Sequence, residues 1–147
     1  MTGRIILVPT DFSAASRAAL RYAESLARDW QARLVILHVH LPEPLYGAAE
    51  MYTGIYPTEE SVFREMLDRF VPQDQSLPYE HRYVIGDPVQ EIVDLAEETQ
   101  AAVIVIGTHG RRGLTRLLVG SVAEGVVRRA SRPVLTVKPL PDTSAND

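Results

Sequence analysis

Short apolar runs alternate along this sequence with longer segments of mixed polarity, and this alternation limits the possible folds more than any other feature. A short continuous apolar run is typical of a strand that is buried on both faces. In the longer segments apolar residues recur at helical spacing, for example at positions 15, 19, 20, 23, 26, 27 and 30. We therefore predict strands over 4–8, 33–41, 79–85, 101–106 and 133–138, and helices over 13–30, 58–70, 87–100 and 114–130.

Strands that alternate with helices predict right-handed β-α-β crossovers and a mainly parallel sheet with helices on both faces. In such sheets, ligands bind beyond the carboxyl ends of the strands, at the point where the strand order reverses. The segments after the first, second and fourth predicted strands carry Pro9-Thr10-Asp11, His40-Leu41 and Gly107-Thr108-His109-Gly110. The α/β topology thus predicts that these three segments lie together at one edge of the sheet.

Size and composition favour one ordinary domain over residues 1–140, followed by a polar tail over 141–147. The chain has 147 residues and no cysteine, which excludes disulfides, cysteine-ligated zinc and thiol catalysis. Its formal net charge of −4 argues against attraction to nucleic acid or to an anionic membrane. No apolar run approaches the ~20 residues of a spanning helix, and we expect a cytoplasmic protein.

The stretch from Gly107 to Ser121 contains the strongest candidate ligand site. Glycines directly after a buried strand let the backbone approach a ligand, and exposed amides ahead of a helix form an anion site. Arg111 and Arg112 add positive charge within this stretch. Ser121-Val-Ala-Glu124 has capping-box spacing, so we predict that the helical stretch over 114–130 restarts there, with Ser121 as the cap. Neither a Walker A loop nor G-x-G-x-x-G occurs, and the residues alone leave a phosphate site and a structural turn as alternatives.

The spacing Gly107-x2-Gly110-x9-Gly120-Ser121 resembles the G-2x-G-9x-G-S/T signature of the ATP-binding universal stress proteins. Segments 5–13, 37–39, 86–88 and 131–137 also resemble that family in the same order, so the resemblance extends over nearly the whole chain. It implies a doubly wound, Rossmann-like domain whose sheet has five mainly parallel strands in the order 3-2-1-4-5. It also implies an adenine nucleotide as ligand, either ATP, ADP or AMP, with Mg²⁺ carried on the phosphates.

The resemblance implies a role for each matching position. Val39 would meet adenine through its backbone, and Asp11 would lie near the ribose or the first phosphate. Gly107 and Gly110 would wrap the ribose and phosphates. The triphosphate end would be lined by Arg111 to Gly113, Ser121 and Val122. The residues predicted to contact the nucleotide are Pro9, Thr10, Asp11, Val39, Gly107, Thr108, His109, Gly110, Arg111, Arg112, Gly113, Gly120, Ser121 and Val122.

Three functions fit these residues. The first is a regulatory, stress-response module in which nucleotide occupancy changes the choice of a protein partner. The second is an ATP-hydrolysing or nucleotidyl-transfer enzyme, which needs a nucleophile, a base and usually a metal clamp. Only Asp11 and His109 are candidates for such roles, so we expect slow hydrolysis at most. The third is a dimerisation module without ligand, against which the intact glycines argue.

Several residues also have a purely structural interpretation. Asp11 competes with Ser13 as the cap of the first helix. His38 and His40 lie on the same face of the second predicted strand. They could be metal ligands, or they could be packed and hydrogen-bonded side chains, and we favour packing. The segment that contains Tyr46, Tyr52 and Tyr56 is either a lid over the site or a surface loop.

The last predicted strand, Pro133 to Lys138, is short and apolar. In the strand order that the resemblance implies, it lies at the edge of the sheet. An uncharged edge offers unpaired backbone groups to a second chain. We therefore predict a two-fold homodimer that pairs through this strand.

Overall fold

The computed structural model describes residues 3–42, 58–108 and 120–139. Five parallel strands form one sheet in the order β3-β2-β1-β4-β5, which confirms the predicted fold class. The predicted helices and strands are present in these ranges with small shifts at their ends, and positions 114–119 of the last predicted helix lie outside the described residues. The strands are β1 (Ile5–Pro9), β2 (Arg33–His40), β3 (Tyr79–Ile85), β4 (Val103–Gly107) and β5 (Val134–Val137), and the helices are α1 (Ala14–Trp30), α2 (Glu59–Arg69), α3 (Pro88–Thr99) and α4 (Ser121–Arg129).

Side-chain caps define where the first three helices begin. The Ser13 hydroxyl accepts a hydrogen bond from the Ser16 amide at the start of α1, and Thr58 caps α2 in the same way. Asp87 caps α3, with Pro88 in the first turn where no amide donor is needed. Among the described residues, no helix is long and apolar enough to cross a membrane.

Two hydrophobic layers cover the two faces of the sheet. The first lies under α1 and α2 and includes Ile6, Val8, Ile36 and Leu67. The second lies under α3 and α4, and its members include Leu7, Leu37, Ile92 and Val126. Successive strand residues point to opposite faces, so even-numbered positions of β1 and β2 join the first layer and odd-numbered positions join the second.

The two edges of the sheet differ in charge. Strand β3 carries Glu80 and Arg82, which form an ion pair with each other. Strand β5 has the sequence Val-Leu-Thr-Val, without a charged side chain. Leu135 is 37% exposed, whereas Val137 is 5% exposed and belongs to the core under α1. The β5 edge is therefore the one that lacks the charges that discourage pairing with another chain.

Candidate functional site

The strand order reverses between β1 and β4, because β2 and β3 lie on one side of β1 while β4 and β5 lie on the other. Thr10 and Asp11 directly follow β1, and Thr108 directly follows β4. These residues therefore meet at the carboxyl edge of the sheet, at the position where α/β sheets bind ligands. The topology brings together two of the segments that the sequence singled out.

The turn after β1 is held by side chains and by the sheet. The Thr10 amide donates to the Leu37 carbonyl oxygen at 2.8 Å, which extends the contact between β1 and β2. Its hydroxyl accepts the Phe12 amide at 2.9 Å and donates to the Ser16 hydroxyl at 2.9 Å. Thr10 is buried, so its side chain fixes the turn from inside.

The structure decides between Ser13 and Asp11 as the cap of the first helix in favour of Ser13. Ser13 is the cap of α1. One carboxylate oxygen of Asp11 accepts the Ser13 amide at 3.0 Å and so closes the turn just before the helix. A carboxylate has about four acceptor positions, so this single bond leaves acceptor capacity for a ligand hydroxyl. Asp11 is half-buried beside the switch point.

Phe12 adopts a left-handed backbone conformation with a φ of 68°. A bulky residue in that region costs about 1–3 kcal/mol and persists only where its surroundings hold it. The Phe12 ring is buried and lies 4.6 Å from the His38 ring, centroid to centroid. The sequence carried no signal for this conformation, because left-handed residues are usually glycine or asparagine.

The end of β4 packs closely against α1. A methyl group at Gly107 would lie 2.7 Å from the carbonyl carbon of Ala15 and 2.9 Å from its oxygen. The absence of a side chain at Gly107 is thus required for helix packing, in addition to any role near a ligand. The sequence suggested only the ligand role, since nothing local marks Ala15 as a neighbour of Gly107.

The two ends of the glycine-rich loop are joined at its base. The Thr108 amide donates to the Val137 carbonyl at 2.9 Å, and the Gly120 amide donates to the Thr108 carbonyl. Gly120 therefore lies beside the end of β4, and α4 begins there. Five predicted contact residues lie between these ends and outside the described residues, namely His109, Gly110, Arg111, Arg112 and Gly113. The predicted lid or surface loop with Tyr46, Tyr52 and Tyr56, between β2 and α2, also lies outside the described residues.

The predicted capping box at Ser121 is wrong by one position. Gly120 is the cap of α4 and makes no side-chain capping bond, while Ser121 is the first helical residue. Glu124 is the fourth helical residue, and its amide donates to the Gly120 carbonyl at 2.9 Å. A capping box needs the hydroxyl at the cap and the carboxylate at the third position, which this register does not provide. Ser121 is exposed, and Val122 packs against the core under α3 and α4.

Val39 and the two histidines of β2 point to opposite faces of the sheet. Val39 packs against the layer under α3 and α4 and is half-buried. Pro9 also precedes the switch point and is buried at the end of β1. His38 and His40 face α2 instead, where their rings pack against Phe63 at 5.2 Å and 5.3 Å.

Each histidine ring makes a specific hydrogen bond. His38 Nδ1 lies 2.8 Å from the Thr10 carbonyl oxygen, so this nitrogen donates a proton. His40 Nδ1 lies 2.7 Å from the Tyr83 hydroxyl oxygen, within hydrogen-bonding distance. Partial burial raises the pKa of that hydroxyl. The contacts agree with packing as the role of both rings. Within the described ranges, no group of three or more metal-ligating side chains is arranged to hold a metal ion.

Comparison with known proteins shows which family this chain resembles over its length. A model of the universal stress protein family matches residues 3–138. Universal stress protein MJ0531 of Methanocaldococcus jannaschii is 32% identical over 138 residues, which cover 90% of this chain and 81% of that protein. The family model therefore covers every strand and helix described above.

Two similar solved structures contain adenine nucleotides. A universal stress protein solved in complex with cAMP has a TM-score of 0.63 and 29% identity, over 95% of this chain and 100% of that chain. A universal stress protein of Archaeoglobus fulgidus solved in complex with dAMP has a TM-score of 0.63 and 25% identity, over 94% of this chain and 98% of that chain. Both proteins share the fold of this chain over nearly its whole length.

Proposed function

This chain belongs to the universal stress protein family, and from that premise we propose that it binds an adenine nucleotide at the carboxyl edge of its sheet. The ligand is ATP or one of its products ADP and AMP, with Mg²⁺ carried on the phosphates. Relatives with the same fold have been solved with cAMP and with dAMP, which supports adenine as the recognised base. We propose that the protein is a cytoplasmic regulatory module of the stress response, in which occupancy changes the choice of a protein partner.

One observation carries the proposal. The bond from the Gly120 amide to the Thr108 carbonyl brings the amino end of α4 to the carboxyl end of β4, next to the turn that contains Asp11. The amide groups of the first turn of a helix and its dipole favour an anion. No side chain caps α4, so none of its first-turn amides donates a hydrogen bond to a capping oxygen. A phosphate is the natural acceptor for them.

The other end of the proposed site suits a nucleoside. Val39 is half-buried near the end of β2 and presents apolar surface for a base. Asp11 keeps acceptor capacity after its bond to the Ser13 amide, and ribose hydroxyl groups are donors for such an oxygen. Along the carboxyl edge of the sheet, Val39 therefore offers apolar surface for the base, Asp11 offers an acceptor for the ribose, and the start of α4 at Gly120 offers donors for the phosphates.

Calorimetry on the purified protein tests the proposal directly. We expect ATP to bind in the micromolar range, about −8 kcal/mol. Mass spectrometry of the ligand released by heat denaturation should also detect a co-purified adenine nucleotide. Failure of ATP, ADP and AMP to bind at millimolar concentration would contradict the proposed function.

A charge-removing pair of substitutions tests where the phosphates lie. Arg111→Ala with Arg112→Ala should weaken ATP binding by about 1.5–3 kcal/mol and leave adenosine almost unaffected, because only the phosphates interact with the lost charge. The matched control is Arg128→Ala with Arg129→Ala, an adjacent exposed pair at the opposite end of α4. Equal losses for ATP and adenosine would place the first pair away from the phosphates.

We also propose that two copies pair through β5 to form a homodimer. This edge carries no charge, whereas Glu80 and Arg82 occupy the β3 edge. Leu135→Lys should shift the protein toward monomer, because each copy would place a charge in the shared edge. Val137 is buried in the core, so its substitution would test folding rather than assembly.

Tyr79→Lys is the matched control for the dimer. Tyr79 lies on the opposite edge and is 39% exposed, close to the 37% exposure of Leu135. We expect light scattering to find a dimer for the wild type and for Tyr79→Lys, and a larger monomer fraction for Leu135→Lys. A monomeric wild type at micromolar concentration would rule out this mode of assembly.

A further inference from the structure

The buried imidazole of His38 contacts the Asp11 turn on both sides of Asp11. Its Nδ1 donates to the carbonyl oxygen of Thr10, the residue before Asp11, at 2.8 Å. Its ring packs at 4.6 Å against the ring of Phe12, the residue after Asp11. His38 and Phe12 are only 7% and 6% exposed, so both contacts are made inside the protein.

The backbone of this turn needs such support. Phe12 holds a φ of 68°, which a bulky residue adopts only where its neighbours impose it. The rings of Phe63 and Phe70 lie 6.1 Å from the Phe12 ring and complete the apolar side of its environment. His38 is the member of this aromatic cluster that also supplies a hydrogen-bond donor to the turn.

The hydrogen bond fixes the orientation of one peptide unit. The Thr10 carbonyl and the Asp11 amide belong to the same planar trans peptide, so they point in opposite directions. Because the carbonyl is bonded to His38, the Asp11 amide points away from the buried cluster. The same bond fixes the position of the Asp11 Cα atom, to which the side chain is attached. We propose that His38 is a positioning residue for the nucleotide site, which orients Asp11 through the Thr10 carbonyl. This inference rests on the proposed function.

His40 provides a matched control on the same face of the same strand. It is 8% exposed and packs against Phe63, as His38 does. Its Nδ1 is bonded to the Tyr83 hydroxyl of β3, however, and its Nε2 lies 3.5 Å from the Glu59 carboxylate of α2. The Nδ1 bond of His40 thus reaches β3, whereas that of His38 reaches the turn after β1.

Four variants separate positioning from packing. His38→Leu removes the donor, and we expect ATP to bind about tenfold more weakly by calorimetry. His38→Asn places an amide N–H where Nδ1 lies and should restore affinity to within about threefold of the wild type. His38→Gln carries its amide one bond farther and should not restore it. His40→Leu should lower the melting temperature without changing ATP affinity.

Affinities are compared at a temperature where every variant is folded, as judged by circular dichroism. If His38→Leu fails to fold, the comparison of ATP affinity between His38→Asn and His38→Gln decides whether His38 has a positioning role. Equal affinity in these two variants, or a loss in His40→Leu as large as in His38→Leu, would overturn the positioning role. A wild type that binds no adenine nucleotide would instead overturn the proposed function.

A ligand-free measurement tests the positioning itself. Nitrogen-15 spectra of the histidine rings should show a protonated Nδ1 at His38 in the free protein at neutral pH. The backbone amide resonance of Asp11 should move in His38→Leu and return toward its wild-type position in His38→Asn. An unprotonated Nδ1 at His38, or an Asp11 resonance that is unchanged in His38→Leu, would overturn the inference even if ATP binds.

Discussion

Replacing Gly107 with alanine is expected to lower the free energy of unfolding by about 3 kcal/mol. The added methyl group would lie 2.7 Å from the carbonyl carbon of Ala15 and 2.9 Å from its oxygen. These atoms belong to the first turn of α1, so they cannot move aside as the end of a flexible side chain can. Relief requires that α1 shift away from β4, and overpacking of this kind typically costs about 1–3 kcal/mol.

Gly3→Ala is the control for that substitution. A methyl group at Gly3 would lie 3.6 Å from the Gln31 carbonyl oxygen, which is an ordinary contact. Reduced entropy of the unfolded chain then makes the change neutral or slightly stabilising, by about 0.4–1 kcal/mol. Denaturant unfolding of both variants measures the difference. Equal stability of Gly107→Ala and Gly3→Ala would show that α1 adjusts without cost.

Replacing Gly110 with valine is expected to weaken ATP binding by more than about 100-fold while the melting temperature stays near that of the wild type. Gly110 lies outside the described residues, and the expectation rests on the resemblance of its loop to the nucleotide-binding glycine signature. A branched side chain there would block close approach of the backbone to the ribose and phosphates. A 100-fold loss corresponds to about 2.8 kcal/mol of binding free energy.

Gly3→Val serves as the control for Gly110→Val, since Gly3 precedes β1 at the amino end of the sheet, opposite the proposed site. Calorimetry with ATP and thermal unfolding are carried out on both variants. Wild-type affinity in Gly110→Val would refute the assignment of the loop to the nucleotide. Loss of folding in Gly110→Val would show that Gly110 resembles Gly107, whose missing side chain serves packing.

Of the two glycines, Gly107 and Gly110, the structure shows a packing requirement at Gly107. Both belong to the same signature, and the sequence alone assigned both to the ligand. Only the approach of Ala15 to Gly107 in the folded chain reveals the packing role. A loss of affinity in a Gly107 variant would therefore combine any effect on binding with the loss of stability.

Local patterns in the sequence were enough to predict the helices and strands. Continuous apolar runs predicted the buried strands, and helical spacing together with Ser13 and Asp87 predicted where α1 and α3 begin. These signals act between residues a few positions apart, so they can be recognised without the fold. The alternation of strand and helix then predicted a parallel sheet with the site at its carboxyl edge, and the family resemblance supplied the strand order.

The tertiary structure alone decided the contacts around the turn after β1 and at the start of α4. The His38 bond to Thr10 spans 28 positions, and the left-handed Phe12 depends on rings from other elements. Gly120 rather than Ser121 is the cap of α4, and the Gly120 amide is bonded to the Thr108 carbonyl just after β4. Such contacts join residues that are distant along the chain and leave no periodic trace in it. The sequence by itself therefore determined the elements and the family, whereas packing determined how the turn after β1 is shaped around Asp11.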